Sequence, residues 1–246
     1  DNQKLAEEAV LKQANDFWPN RHIMQGRFHS LGDAVSQGAS MKGPLAYYDA
    51  ADAPSSGAPG DSNSIIAEMV RFNYPHRVLA SVVDPPVVTR AHEVGVGSRL
   101  RMGIGGALDS RFTPLDLEWT VKSIANNVNL EMETWSFILN PGPTAVLTAD
   151  NLTVVAMTNS LPMVDRTIYF ANGCDPRDFH STIVKSPHCE PQFYDEWVEA
   201  GFNVDAPGST SANLPTLGHT NCDRPMYPLE QDASFEPRTE VFKRWK

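Results

Sequence analysis

Cysteine is scarce and odd in number: Cys174, Cys189 and Cys222 among 246 residues, at irregular spacing. Such a set makes a poor disulfide framework, and reduced thiols are expected. No apolar run approaches the roughly 18–20 residues that a helix needs to cross a bilayer, and the polar opening from Asp1 to Lys4 has no secretory pattern. Basic residues are not in surplus either, since 20 Lys and Arg stand against 30 Asp and Glu, a net charge of −10. Phosphate binding needs the opposite balance, so a general nucleic-acid binder is excluded. The expectation is a soluble, cytoplasmic chain with no membrane and no nucleic-acid partner. It opens at Asp1 and not at a methionine, as a processed chain or a piece of a longer one would.

Markers of several chemistries are missing as well. There is no Gly-x-Ser-x-Gly elbow for a serine hydrolase, no Cys-x-x-Cys and no His-Glu-x-x-His. Cys174, His180, His188, Cys189, His219 and Cys222 are scattered at spacings that fit no compact zinc pattern, so no metal ligands are assigned within this chain.

What is present is an ordinary globular composition, 41% apolar and 20% charged, with 19 prolines that promise many loops. Apolar residues at Leu5, Ala6, Ala9, Val10, Ala14 and Phe17 predict an amphipathic helix from Gln3 to Trp18, closed by Pro19. A strand over Pro44–Asp49, a loop over Ala53–Gly60, a helix over Ser62–Phe72, a strand over Arg77–Val83 and a helix from Asp84-Pro-Pro to His92 follow. This alternation suggests an α/β unit with parallel strands. The middle changes character: Ser98–Gly105, Leu117–Ile124, Thr144–Ala149 and Leu152–Thr158 all read as strands, the last two joined by a tight turn at Asp150-Asn151. A short helix near Thr167–Ala171, a turn at Asp175–Asp178, a strand over Ser181–Lys185, a helix over Cys189–Ala200 and a strand at Phe202–Val204 return to the α/β layer. The expected class is α/β, a mixed sheet with flanking helices and an antiparallel β-rich middle. Its parts would be 3–95 (α/β), 96–160 (β-rich insert), 161–230 (return to α/β) and a tail, 231–246.

Two segments carry chemistry. Gly57-Ala-Pro-Gly60-Asp61-Ser62-Asn63 lies between a predicted strand and a predicted helix, where glycines allow close backbone approach and free helix N–H groups suit an oxygen anion. It is neither a P-loop nor a dinucleotide fingerprint. The plainer alternative is that Asp61 or Ser62 caps the helix. Val184-Lys185-Ser186-Pro187-His188 ends a predicted strand, where open α/β sheets collect ligand groups. Lys185 could hold an anion and His188 could move a proton; the alternative is a surface lysine and a structurally bonded histidine.

Read in order, Gly57–Ser62, Asp84-Pro85, Ala91-His92, Gly95-Val-Gly97, Gly105–Asp109 with Arg111-Phe112, Gly142–Val146, Asp175–Arg177, Val184–Ser186, Asp205–Gly208 and Arg224-Pro225 with Pro228 resemble the C-terminal domain of the MlrC (microcystinase C-like) family. No single motif is specific; their shared order over residues 3 to 230 is. The resemblance implies a zinc-dependent hydrolase of amide bonds in peptides, with the metal in a cleft between two halves. It implies that zinc is held mainly by an Asp-x-His element and a later His of the N-terminal half, together with a nearby acidic residue, so mainly by residues outside this chain. Asp178-Phe-His180 repeats that spacing, but its place before Val184–Ser186 marks it as coincidental. The chain departs from the family at Asp52-Ala-Pro-Ser-Ser56 and at Pro187–Pro191.

The resemblance thus implies one subunit or cleavage product of a hetero-oligomeric amide or peptide hydrolase, partnered by a second chain or N-terminal half that carries the metal ligands. Asp61 and His188 would be the catalytic contributions; Gly60, Ser62, Lys185 and Ser186 would bind a peptide or small amide substrate. Two alternatives stand beside it: a non-catalytic structural or binding subunit that keeps the fold, and a hydrolase of small cyclic amides on the same scaffold.

Overall fold

The computed structural model describes residues 2–24, 26–126, 129–187 and 191–242. In chain order the elements are α1 (Gln3–Phe17), β1 (His29–Ser30), α2 (Leu31–Ser40), β2 (Leu45–Tyr48), α3 (Ser64–Phe72), β3 (Val78–Val83), α4 (Pro85–Val94), β4 (Arg99–Ile104), β5 (Leu115–Ala125), β6 (Leu130–Glu131), β7 (Ile138–Leu139), β8 (Thr144–Ala149), β9 (Leu152–Met157), α5 (Thr167–Ala171), β10 (Ser181–Val184) and β11 (Ala200–Asp205). They divide between two compact units, one of Asp1–Arg27 with Asn213–Lys246, the other of Phe28–Ala212.

The larger unit is built on a nine-stranded sheet in the order β1-β11-β2-β10-β3-β9-β8-β5-β4. The first six strands run parallel, and β9, β8, β5 and β4 pair antiparallel. The α/β class and the antiparallel middle are therefore both present, and the β-rich segment continues the parallel half directly because β9 pairs with β3 over six residues. β3 is buried along its whole length, as its continuous Val-Leu-Ala-Ser-Val-Val run requires of a strand covered on both faces. One face packs Ala34 and Val35 of α2, Ile65, Ile66 and Met69 of α3, and Val87, Val88 and Ala91 of α4 against Val78, Ala80 and Val82. The other packs Ile168 and Tyr169 of α5 against Leu79 and Val83.

Local chemistry explains the helix ends. Asp84 caps α4, accepting from the Val87 N–H at 3.1 Å, and two prolines fill the first turn. α3 stops at Asn73, which adopts φ 57° and returns its N–H to Met69 and Val70. α2 has no counterpart among the expected helices because its glycines disguise it. Gly38 is nevertheless required there, since a Cβ would lie 1.8 Å from the Tyr47 hydroxyl oxygen. The helix expected over Cys189–Ala200 does not form in its described part, which has a 3-10 turn at Pro191–Phe193 and then turns. Phe193 and Tyr194, neighbours in sequence, are both buried beside Tyr48 and Val184, and the Trp197 indole N–H donates to the Phe193 carbonyl at 2.6 Å.

At the amino end of β10 the imidazoles of His76 and His180 stack, 3.8 Å apart, with the Nε2 atoms at 3.1 Å from the carbonyls of Ala39 and Met41. Burial holds the His180 imidazole below its ordinary pKa, against the Met41 carbonyl and with help from His76. The unfolded chain then binds the proton more readily, so stability is complete above about pH 6.5 and is lost as pH falls from there toward the folded value. Urea unfolding of His180→Gln is expected to show a flatter decline below about pH 6.5 than the parent chain; identical slopes would contradict this.

The smaller unit holds α1, the 3-10 turn Trp18–Met24 and the C-terminal segment from Asn213. Among the described residues no helix is long and apolar enough to cross a membrane.

Candidate functional site

Three adjacent parallel strands each release an ionisable residue one position past their carboxyl ends: Asp49 after β2, Asp84 after β3 and Lys185 after β10. The register pairs Tyr48 with Val184, so Asp49 and Lys185 emerge side by side, and the Asp49 N–H donates to the Val184 carbonyl at 2.8 Å. Because β10 lies between β2 and β3 in the sheet, the chain leaving β2 for α3 and β3 must pass over the end of β10. That crossing lays the segment from Asp49 to Asn63 onto Lys185.

The two segments singled out in the sequence meet here. The Lys185 ammonium donates to Asp52 Oδ2 at 2.8 Å and to the Ser62 carbonyl at 2.8 Å, and lies 3.5 Å from Asp49 Oδ2. Asp52 accepts from the Gly60 N–H at 2.9 Å and from the Ser62 N–H at 2.7 Å. The glycine turn is thus an anion nest, two backbone N–H groups and an ammonium converging on a carboxylate, and the carboxylate is the chain's own. Asp49, Asp52, Asp61 and Lys185 are each at most 1% exposed, and Gly60, Ser62 and Ser186 are buried too. Lys185 is therefore not a surface lysine. Burial opposes its charge, but Asp52 and then Asp49 outweigh that and raise its pKa. Burial also raises the Asp49 carboxyl, against the pull of Lys185, and its Oδ1 has no partner.

Asn63, the N-cap of α3, makes no side-chain capping bond; the Ser62 hydroxyl accepts from the Ser64 N–H, the first of the helix, at 3.3 Å, and Asp61 takes no part in the cap. Asp61 turns instead to the loop after β4: its Oδ2 accepts from the N–H groups of Leu108 at 2.6 Å and Asp109 at 2.8 Å, and its carbonyl accepts from Gly106 at 3.0 Å. Asn63 donates to the carbonyls of Ile104 and Thr113, and Gly105 donates to Asp84 Oδ2 at 2.8 Å. The 105–113 loop is thus fastened to the nest from beneath. On its exposed side Asp109 grips Arg111 through Nε, at 3.0 and 2.9 Å, and Nη2, at 2.6 Å. Those hydrogen bonds hold the Asp109 carboxyl below the ordinary carboxylate range and raise Arg111.

Gly60, Asp61, Ser62, Lys185 and Ser186 share one place; His188 lies outside the described residues. Sequence reasoning passed over Asp49, Asp52, Asp84, Asp109 and Arg111. The position past a strand end, the rule that selected Lys185, would also have found Asp49 and Asp84. Asp178-Phe-His180 sits at the opposite end of β10, with His180 bound to Met41 and Ser181. Among the described residues no three His, Cys, Asp or Glu side chains converge as metal ligands. In the nest itself the ammonium of Lys185 already occupies the place of a cation, so a zinc ion, the metal expected from the sequence resemblance, does not fit among these carboxylates.

The sequence profile of the MlrC C-terminus matches residues 48–221, from the end of β2 through β11 and thus across this whole site. The chain belongs to the MlrC C-terminus family. A crystal structure from Mesorhizobium sp. BNC1, of a protein provisionally named a metallopeptidase, is similar to this MlrC C-terminal domain with a TM-score of 0.75 and 26% identity. The likeness covers 89% of this chain and 44% of that one, so the chain spans less than half the length of that protein. No curated protein matches the sequence.

Proposed function

We propose that this MlrC C-terminal domain forms the substrate-binding side of a zinc-dependent amide or peptide hydrolase whose metal is held by a second chain or an N-terminal half. The observation that carries the reading is the meeting of the family's glycine turn with Lys185 at the carboxyl ends of β2, β10 and β3, where α/β sheets gather ligands. In this reading Asp61 and Lys185 are positioning residues, since both are buried and fully engaged on one oxygen or on the nitrogen. Lys185 and Asp52 fix the glycine turn. Asp61 fixes the 105–113 loop. Substrate meets the exposed rim that they support, Ser55–Gly57 on one loop and Ala107–Arg111 on the other, where Arg111 offers a charge to a peptide carboxylate or carbonyl. Zinc, if bound in the other half, would supply the polarisation of the amide carbonyl.

Metal analysis and assay of the chain, alone and combined with a polypeptide carrying the N-terminal half, test the proposal. The expected result is far less than one zinc per molecule and no hydrolysis of linear peptides alone, with both gained on combination. Stoichiometric zinc and full turnover in the isolated chain would end the split-site reading. A second reading, a structural subunit that keeps the fold without chemistry, draws on the burial of the nest. Arg111→Gln separates the two: a raised KM in the combined enzyme supports the substrate side, and unchanged kinetics support the structural role.

A further inference from the structure

The smaller unit contains a cavity of about 430 Å³ whose lining includes Trp18, Arg21, Met24, Tyr227, Ser234 and Phe235. Arg21 follows Trp18 by one turn of the 3-10 segment, and its guanidinium carbon stands 4.3 Å from the Trp18 ring and 5.1 Å from the Tyr227 ring. Trp18 stacks on Phe235 at 4.6 Å and meets Tyr227 edge-on at 5.9 Å. The Tyr227 hydroxyl lies 3.2 Å from His22 Nδ1, which fixes the far wall. The cation is held between aromatic faces, an arrangement that suits a weakly hydrated, planar guanidinium better than a strongly hydrated lysine ammonium.

What this arginine lacks is an anion. Its Nη1 donates to the Trp18 carbonyl at 2.9 Å and its buried Nε has no partner. Seven other arginines pair with a carboxylate, but Arg21 pairs with none among the described residues, in a chain that carries 30 acidic side chains. Around it, Phe17 (54%), Met24 (57%) and Phe235 (40%) leave apolar surface open. Apolar walls around one convergent charge are the usual makings of a ligand pocket, and the volume falls within the range of such sites.

We propose that this cavity binds a carboxylate joined to an aromatic or branched apolar group, of the kind found at the C-terminal end of a peptide. The carboxylate accepts from the guanidinium of Arg21, and the apolar group fills the space between Met24, Phe17 and Phe235. The site lies outside the residues matched to the family and does not depend on the hydrolase reading.

Calorimetric titration of the full chain with N-acetyl-L-phenylalanine, and with its uncharged carboxamide, tests this. The acid is expected to bind saturably at one site and the carboxamide at least about tenfold more weakly, the difference a charge-assisted hydrogen bond makes. Arg21→Gln is expected to reduce the acid to the level of the carboxamide. Ser234→Asp, which supplies a carboxylate from the cavity wall and leaves Arg21 in place, is expected to abolish the preference for the acid even if Arg21→Gln fails to fold. No saturable binding, equal binding of acid and carboxamide, or a preference that survives in Ser234→Asp would overturn the proposal.

Discussion

Replacing Asp52 by alanine is expected to lower the unfolding free energy by about 3–5 kcal/mol, the usual cost of removing one partner from a buried, hydrogen-bonded ion pair. The change strands the Lys185 ammonium at 1% exposure and frees the N–H groups of Gly60 and Ser62 that now end on Asp52. Little can replace it. Asp49 lies 3.5 Å from the ammonium, and ionising it means overcoming the burial that raises its pKa. Removing the cation as well should be less harmful than the sum of parts, because Asp52→Ala with Lys185→Met leaves no uncompensated charge in that pair. Urea unfolding of the two single variants and the double variant measures the coupling. Strict additivity would mean that the pair does not hold the turn. Formate, compared with chloride at equal ionic strength, should raise the unfolding midpoint of Asp52→Ala and leave the parent unchanged, since the vacated nest retains two N–H donors and an ammonium for a small carboxylate.

The parts of this architecture that were legible in the sequence are those where one physical rule dominates. β3 reads from an unbroken apolar run, α4 from Asp84 ahead of two prolines, and the β8–β9 hairpin from Asp150, which takes φ 47° in the turn. Where two requirements compete, the stronger one is not visible in a local window. Gly32 and Gly38 lower the helical propensity of α2, yet Tyr47 needs the missing side chain at Gly38. The 191–199 segment has the spacing of a helix, but burying Phe193 and Tyr194 together, with Trp197 folded back on the Phe193 carbonyl, favours turns. The site follows the same division. Gly60 and Lys185 announce themselves by residue type and by position at loop and strand end. Asp52 does not, because the order in which β2, β10 and β3 lie side by side decides what passes over Lys185, and β10 is more than a hundred residues away from the loop in sequence.

Asp61 separates positioning from chemistry at this site. Asp61→Ala removes the acceptor of two short backbone hydrogen bonds, from Leu108 and Asp109, and is expected to cost about 2–4 kcal/mol at the usual worth of bonds to a charged acceptor. Hydrogen exchange at those two amides should accelerate by about tenfold or more while the amides of β3 keep their protection. Asp61→Asn should behave differently. Its amide oxygen can take the place of Oδ2, and its amide nitrogen replaces Oδ1, a buried oxygen that has no partner now, so the loss should stay under about 1 kcal/mol. In the proposed enzyme, once combined with a polypeptide carrying the N-terminal half, a residue that only holds the 105–113 loop should show the same order: kcat/KM depressed in the alanine variant and largely restored in asparagine, in step with the exchange of Leu108 and Asp109. A carboxylate that takes a proton from water or substrate cannot be replaced by an amide, because the amide has no comparable basicity. If asparagine keeps the loop protected and yet loses as much turnover as alanine, Asp61 acts on the reacting groups and the positioning role is wrong.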